Sequence, residues 1–365
     1  MKGVIIAGGP GTRLRPLTYV RPKPIVPVAN RPFLEYQVEL LKRHDIKEII
    51  FCTNYMAEMI QAHFGDGSKF GVKMHYAIEE VPLGTAGAIK NAERIFEGDT
   101  ILVFNGDVLT DFDLSNIVDF HKKQSATITL TLHEVPSPSP YGVIITDEKM
   151  RVTEFREPSE EIKKMLARNP DIERTGVDYI NAGIYVIESE VFKSVPADVP
   201  YSIERQMFPE VLARGEKVFG FVGKGYWLDI GRPEQYLEAH RAVLFGDVKV
   251  NLAGSKVRGS KYCASGPVTV DPTAQIEPTV HLGKRSRIAA NVQIRGATAI
   301  GEDCVIGEGS VIEDSVLLDD VTVGKNVSLK RAIFDSQTVV EDNVVVHAAA
   351  VVAGDSHIGF GTSIT

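Results

Sequence analysis

Through the first two-thirds of the chain, short apolar runs alternate with stretches whose apolar residues recur at helical spacing. Val4 to Ala7, Glu48 to Thr53, Val72 to Ala77 and Thr100 to Asn105 read as buried strands. Phe33 to His44, Tyr55 to Phe64, Thr85 to Phe96 and Leu114 to Gln124 read as the helices between them. Further strands follow at Ala126 to His133, Tyr141 to Ile145 and Tyr179 to Ile187, with helices at about Ser202 to Arg214 and at Pro233 to Phe245. This alternation predicts a doubly wound α/β sheet, in which ligands bind outside the carboxyl ends of the strands.

The helical spacing stops at Gly246, and from about Pro267 the period becomes six. Ile276, Leu282, Ile288, Ile294, Ile300, Ile306, Ile312 and Leu318 are all aliphatic; after a one-residue slip the series resumes at Val323 and Leu329, and less regularly at Val339, Val345 and Val351. A β-sandwich would show period two, whereas a six-residue step fits one face of a triangular coil with its aliphatic residue inward. The expected organisation is an α/β domain over 1–245, a linker over 246–267 and a β-helix over 268–365. The repeats run to Ile364-Thr365 with no polar cap, as in a repeat array cut short.

Composition narrows the class. The chain has 365 residues, 44% hydrophobic and 24% charged, without the long apolar stretch of a membrane span. Its first apolar run is too short for a signal peptide. Cys52, Cys263 and Cys304 are far apart, which excludes a disulfide framework and a zinc cluster and fits a reducing cytoplasm. A net charge of −8 argues against nucleic acid and anionic membranes as partners.

Residues 1–34 break that balance: Lys2, Arg13, Arg15, Arg21, Lys23 and Arg31 stand there without any Asp or Glu. They flank Gly8-Gly9-Pro10-Gly11-Thr12-Arg13, a Gly-rich turn after a strand, where backbone N–H groups and fixed cations suit a polyphosphate. The spacing fits neither the dinucleotide fingerprint nor the P-loop.

With these motifs the chain resembles the sugar-1-phosphate nucleotidyltransferases. The resemblance covers about 1–245 and adds, in family order, Glu80 to Gly87 (EVPLGTAG), Asn105-Gly106-Asp107, Tyr141-Gly142-Val143, Asn181 to Tyr185 (NAGIY) and Trp227 to Gly231 (WLDIG). It implies a Rossmann-like nucleotidyltransferase domain, followed by the left-handed parallel β-helix of hexapeptide repeats that many members carry. Among the branches, PLGTAG, NGDV and the SIER at Ser202 to Arg205 are most similar to mannose-1-phosphate guanylyltransferases, which implies GTP and mannose 1-phosphate as substrates. Thymidylyl, uridylyl or adenylyl transfer to glucose 1-phosphate, and a regulatory subunit that binds nucleotide sugar without turnover, stay open.

The resemblance also assigns roles. Gly8, Gly9, Gly11, Thr12 and Arg13 would hold the triphosphate, Lys23 would be a second cationic clamp, and Asp107 and Asp229 would hold Mg²⁺. Arg13, Lys23, Asp107 and Asp229 are thus the expected catalytic set. Glu80, Gly84 and Thr85 fall in the loop used for the base, and Gly142, Asn181 and Gly183 in motifs that contact sugar hydroxyls. One departure stands out: the family's Glu-Lys-Pro, with the Glu on sugar hydroxyls and the Lys on the sugar phosphate, is here Arg156-Glu157-Pro158, so these two residues either reach the same groups by a shifted backbone or line a different sugar pocket. The segment around His347 resembles the histidine region of acyltransferases built on the same β-helix, although a lone corner histidine is first a structural residue. The long flat faces of a β-helix lead to an expected homo-oligomer.

Overall fold

The computed structural model describes residues 1–139, 141–168, 174–252, 255–256, 262–347 and 349–364. Seven residues of the expected linker (253, 254 and 257–261), together with Ala348 of the histidine segment and the terminal Thr365, lie outside the described residues. The chain forms two compact units, one of Met1–Gly9 and Gln37–Trp227, the other of Pro10–Tyr36 and Leu228–Thr365.

Nine strands of the first unit make one sheet. Lys2–Ile6 lies between Glu48–Thr53 and Ile101–Asn105, parallel to both, and Lys73–Ile78 continues the parallel set beyond Glu48–Thr53. The chain therefore moves outward on one side of Lys2–Ile6 and returns on the other, making a topological switch point between Lys2–Ile6 and Ile101–Asn105. Gly176–Ile187 then adds antiparallel to Ile101–Asn105, and pairs antiparallel with Ile128–Ser137 and Val143–Thr146. The central strands are buried on both faces, as their continuous apolar runs require.

The structure adds elements that the spacing did not mark: the strands Val152–Arg156 and Val218–Val222 and the helix Glu160–Arg168. The expected helix over 85–96 is two pieces, Gly84–Asn91 and Glu93–Phe96. The helix from Ser202 opens as a π-helical turn, Ile203–Met207, before the α-helix Phe208–Ala213. Pro209 accounts for this, because it has no N–H to give the Arg205 carbonyl and its ring crowds that carbonyl.

In the second unit the hexads form three parallel sheets of two- and three-residue strands. Each strand pairs with the one a coil further on, as Ile276 with Ile294 and Ile294 with Ile312. The first seven aliphatic positions fall where expected. The eighth does not: Ile300 pairs with Leu317, so Leu317 rather than Leu318 occupies the rung. The corner after Glu313 holds only Asp314 and Ser315, where the preceding coil holds Gly296, Ala297 and Thr298. A second short corner, Arg331-Ala332, repeats the slip and brings Phe334 onto Leu317. From there the inward residues are Val340 and Val346, and Val339, expected inside, is 40% exposed. Asp314 and Arg331 both turn these short corners in the left-handed region, at φ 47° and 54°.

Candidate active site

At the carboxyl edge of the first unit, four loops follow four neighbouring parallel strands. Gly8 follows Lys2–Ile6, Asn54 follows Glu48–Thr53, Glu79 follows Lys73–Ile78, and Gly106-Asp107 follows Ile101–Asn105. The Gly106 N–H donates to the Ile6 carbonyl at 2.9 Å, and a Cβ at Gly106 would stand 2.5 Å from that oxygen. Only glycine allows the Asp107 loop to lie against the Gly8 strand. Gly183 is held at φ 71° against Asn105, whose Nδ2 would be 2.8 Å from a Cβ there. The Trp227 indole N–H donates to the Ala182 carbonyl at 2.8 Å. Gly183, with Asn181 hydrogen-bonded to its N–H at 2.9 Å, thus packs on Asn105, two residues before Asp107 in the chain.

The loop expected to meet the base is anchored by main-chain bonds. Ala86 and Gly87 N–H groups donate to the Tyr201 carbonyl at 2.9 and 3.1 Å, and Tyr201 N–H returns to the Leu83 carbonyl at 2.8 Å. Gly84 sits at φ 71°, where a Cβ would meet the Tyr201 main chain at 2.9 Å. Glu80 and Gly84 are exposed, Thr85 half-buried.

Sequence reasoning overlooked Glu79. It is buried, accepts the Leu83 N–H at 2.8 Å, and its Oε1 would stand 3.2 Å from a Cβ on Gly8. Its carboxyl thus lies between the Gly8 main chain and the Leu83 N–H. Burial pushes its pKa up, while the Leu83 N–H opposes the rise. The strand offered no signal that Glu79 and not Glu80 points inward: its apolar residues Met74, Tyr76 and Ile78 continue by twos to Glu80, and it is the Leu83 N–H of the following turn that holds Glu79 inside.

Glu157 and Arg156 separate in space. The Glu157 carboxylate lies against Gly142, 3.2 Å from where a Cβ would be. Arg156 instead forks onto Glu154 of its own strand at 2.6 and 2.9 Å, and both side chains are exposed.

Gly11, Thr12, Arg13, Lys23 and Asp229 belong to the second unit. Gly11 is left-handed at φ 59°, and its carbonyl accepts the Thr18 hydroxyl at 2.9 Å. A Cβ there would collide with the Lys23 Cβ at 2.9 Å, so glycine lets the loop fold back on Lys23. The Arg13 guanidinium lies on Gly231, two residues beyond Asp229, with a hypothetical Cβ at 3.0 Å from Nη2; Gly231 N–H donates to Gln235 at 3.0 Å. The loop rests on the β-helix through Arg21, which donates to Asp335 at 2.6 Å and Ser336 at 3.3 Å, and through Asn30 Nδ2, 2.6 Å from the Ile300 carbonyl. His347 is exposed, 2.7 Å from the Ser328 hydroxyl.

The nucleotidyl transferase family matches residues 2–245. The chain belongs to that family. Residues 258–364 match the left-handed β-helix domain of the EIF2B epsilon subunit. A mannose-1-phosphate guanylyltransferase of Mycobacterium tuberculosis is 37% identical over 80% of this chain and 78% of its own. A UTP–glucose-1-phosphate uridylyltransferase of Synechocystis is 33% identical over 82% and 78%. The crystal structure of HddC from Yersinia pseudotuberculosis with GMP-PN superposes with a TM-score of 0.54 at 30% identity, covering 65% of this chain and 97% of that one. The fold is a Rossmann-like nucleotidyltransferase domain with a left-handed β-helix, and the enzyme is a sugar-1-phosphate nucleotidyltransferase. Members of the family generally use a divalent metal. Among the described residues, no helix is long and apolar enough to cross a membrane.

Proposed function

We propose that the enzyme transfers the guanylyl group of GTP to mannose 1-phosphate, releasing pyrophosphate. The observation that carries this reading is the similarity to mannose-1-phosphate guanylyltransferase across four-fifths of the chain. A phosphate oxygen of the sugar phosphate attacks the α-phosphorus as the bond to the β,γ-pyrophosphate breaks, so no enzyme nucleophile is needed. The protein's task is to align two anions and to offset charge on the leaving pyrophosphate. Gly8, Gly9, Gly11 and Thr12 offer the triphosphate a close backbone approach, and Arg13 and Lys23 supply cations. Glu80, Gly84 and Thr85 line the base loop. Glu157, against Gly142, takes sugar hydroxyls with Asn181 and Gly183, and Arg156 serves the sugar phosphate only after leaving Glu154.

Asp107 and Asp229 are half-buried carboxylates, each at a strand end. They are the hard oxygen donors that Mg²⁺ takes when phosphates complete its shell, and they would hold it. The bound ion would neutralise phosphate charge. In the same reading residues 1–245 are the catalytic domain, 246–267 the linker and 268–365 the β-helix, and the enzyme works in the cytoplasm as a homo-oligomer, apart from nucleic acid and membranes.

The test is pyrophosphate release from GTP, ATP, UTP, dTTP and CTP, each with mannose 1-phosphate and glucose 1-phosphate. The expected result is the highest kcat/KM for GTP with mannose 1-phosphate, abolished by chelator and restored by Mg²⁺. A higher value for UTP or dTTP with glucose 1-phosphate overturns the assignment.

A further inference from the structure

Within the first unit, one carboxylate touches both the base loop and the sugar motif. Glu204 Oε2 accepts the Thr85 hydroxyl at 3.2 Å and the Ser202 hydroxyl at 3.1 Å; Oε1 accepts the Tyr185 hydroxyl at 3.3 Å. Tyr185 in turn accepts the Asn181 Nδ2–H at 2.7 Å, and Asn181 Oδ1 accepts the Gly183 N–H at 2.9 Å. Thr85, whose hydroxyl hydrogen points at Glu204, accepts the Ile203 N–H at 2.7 Å.

The direction of this chain follows from its first member. An ionised carboxylate can only accept, so Tyr185 must donate to it; the Tyr185 oxygen is then left to accept from Asn181, which turns the Asn181 carbonyl toward Gly183. Tyr185 is fully buried, and burial together with the charge of Glu204 raises its pKa, which keeps the phenol protonated as the chain requires. Glu204 reaches this position from the π-helical turn, whose wider spacing is shown by the Met207 N–H donating to the Ser202 carbonyl at 3.0 Å. Such turns occur often at functional sites.

We propose that Glu204 is a positioning residue that fixes the orientation of the Asn181 amide and the Gly183 turn toward the sugar, and ties them to Thr85 beside the base loop. It touches no substrate. The inference rests on the proposed reading of Asn181 and Gly183 as sugar contacts.

Glu204→Gln keeps the shape and removes the acceptor-only character. With the Gln oxygen toward Thr85, its NH₂ faces a Tyr185 oxygen already filled by Asn181, and the amide order of Asn181 is lost. The experiment is steady-state kinetics of E204Q, Tyr185→Phe and the double variant with the best substrate pair, with thermal melting of each. The expected result is a rise of about tenfold in KM for the sugar 1-phosphate in each single variant, the size of one misplaced hydrogen bond, with kcat changed less. The double variant should rise no more than about twofold beyond either single one, since both break the same chain. KM within twofold of wild type in a folded E204Q or Y185F overturns the proposal, as does multiplication of the two effects in the double variant. Y185F reads the chain alone if E204Q does not fold. A wild-type enzyme that turns over none of the pairs defeats the proposed function instead.

Discussion

The two units use β-structure in opposite ways. In the β-helix each rung pairs with the residue 17 or 18 positions on, as Ile288 with Ile306 and Ile306 with Val323, so pairing repeats at one short separation. In the α/β sheet the strand Gly176–Ile187 pairs with partners that begin near residues 101, 128 and 143, and it gathers motifs from across the chain. A repeating pairing yields stability as a sum over neighbouring coils and tolerates shorter corners such as 314–315. A non-repeating one yields a place where distant loops meet, with close approaches such as Gly106 on Ile6 and Gly183 on Asn105 that no other residue fits. Of the residues proposed for the triphosphate, Gly8 belongs to the first unit and Arg13 and Lys23 to the second.

The contrast can be broken experimentally. The largest expected effect is Phe334→Ala: the ring is fully buried in the β-helix, and its loss should cost about 3–5 kcal/mol in denaturant unfolding. Unchanged stability would mean that the second short corner does not bring Phe334 inside. Next, Arg13→Ala should lower turnover about a hundredfold, close to 2.7 kcal/mol of barrier, with stability little changed, because its exposed guanidinium lies on the surface of Gly231. A well-folded variant of normal activity removes Arg13 from the phosphate site.

A finer test separates adjacent valines. Val340→Ala should cost about 2 kcal/mol and Val339→Ala less than about 0.5, since only the first is inside the coil. Equal costs would return the register to the one the sequence suggested.

A pH series tests His240, buried in the second unit with its Nδ1 accepting the Ala29 N–H at 3.2 Å. Burial foremost, helped by the nearby His281, depresses its pKa to about 3, against a Pro27 backbone hydrogen bond that raises it. The unfolded chain takes up a proton near pH 6.5 that the native state refuses, so stability is fully present above that pH and falls toward pH 3, by up to about 1.4 kcal/mol per pH unit. His240→Asn should flatten this slope in unfolding measured from pH 7 to 4. An unchanged slope means that His240 is not the group responsible.

The sequence by itself determined the parallel order of strand and helix through Gln124, the six-residue coil, and the glycines, cations and carboxylates at strand ends. Each of these is a local matter: periodicity decides which face is buried, and turn chemistry decides which residue type fits. Only the tertiary structure decided that Glu79 rather than Glu80 braces Gly8, that Arg156 turns to Glu154 while Glu157 meets Gly142, and that Leu317 takes the rung next to Leu318. In each case two adjacent residues are candidates for one position, and nothing local separates them. The choice falls to whichever one the corner length or a contact from a neighbouring loop or strand turns inward, and corner length is set by packing against the coil before it.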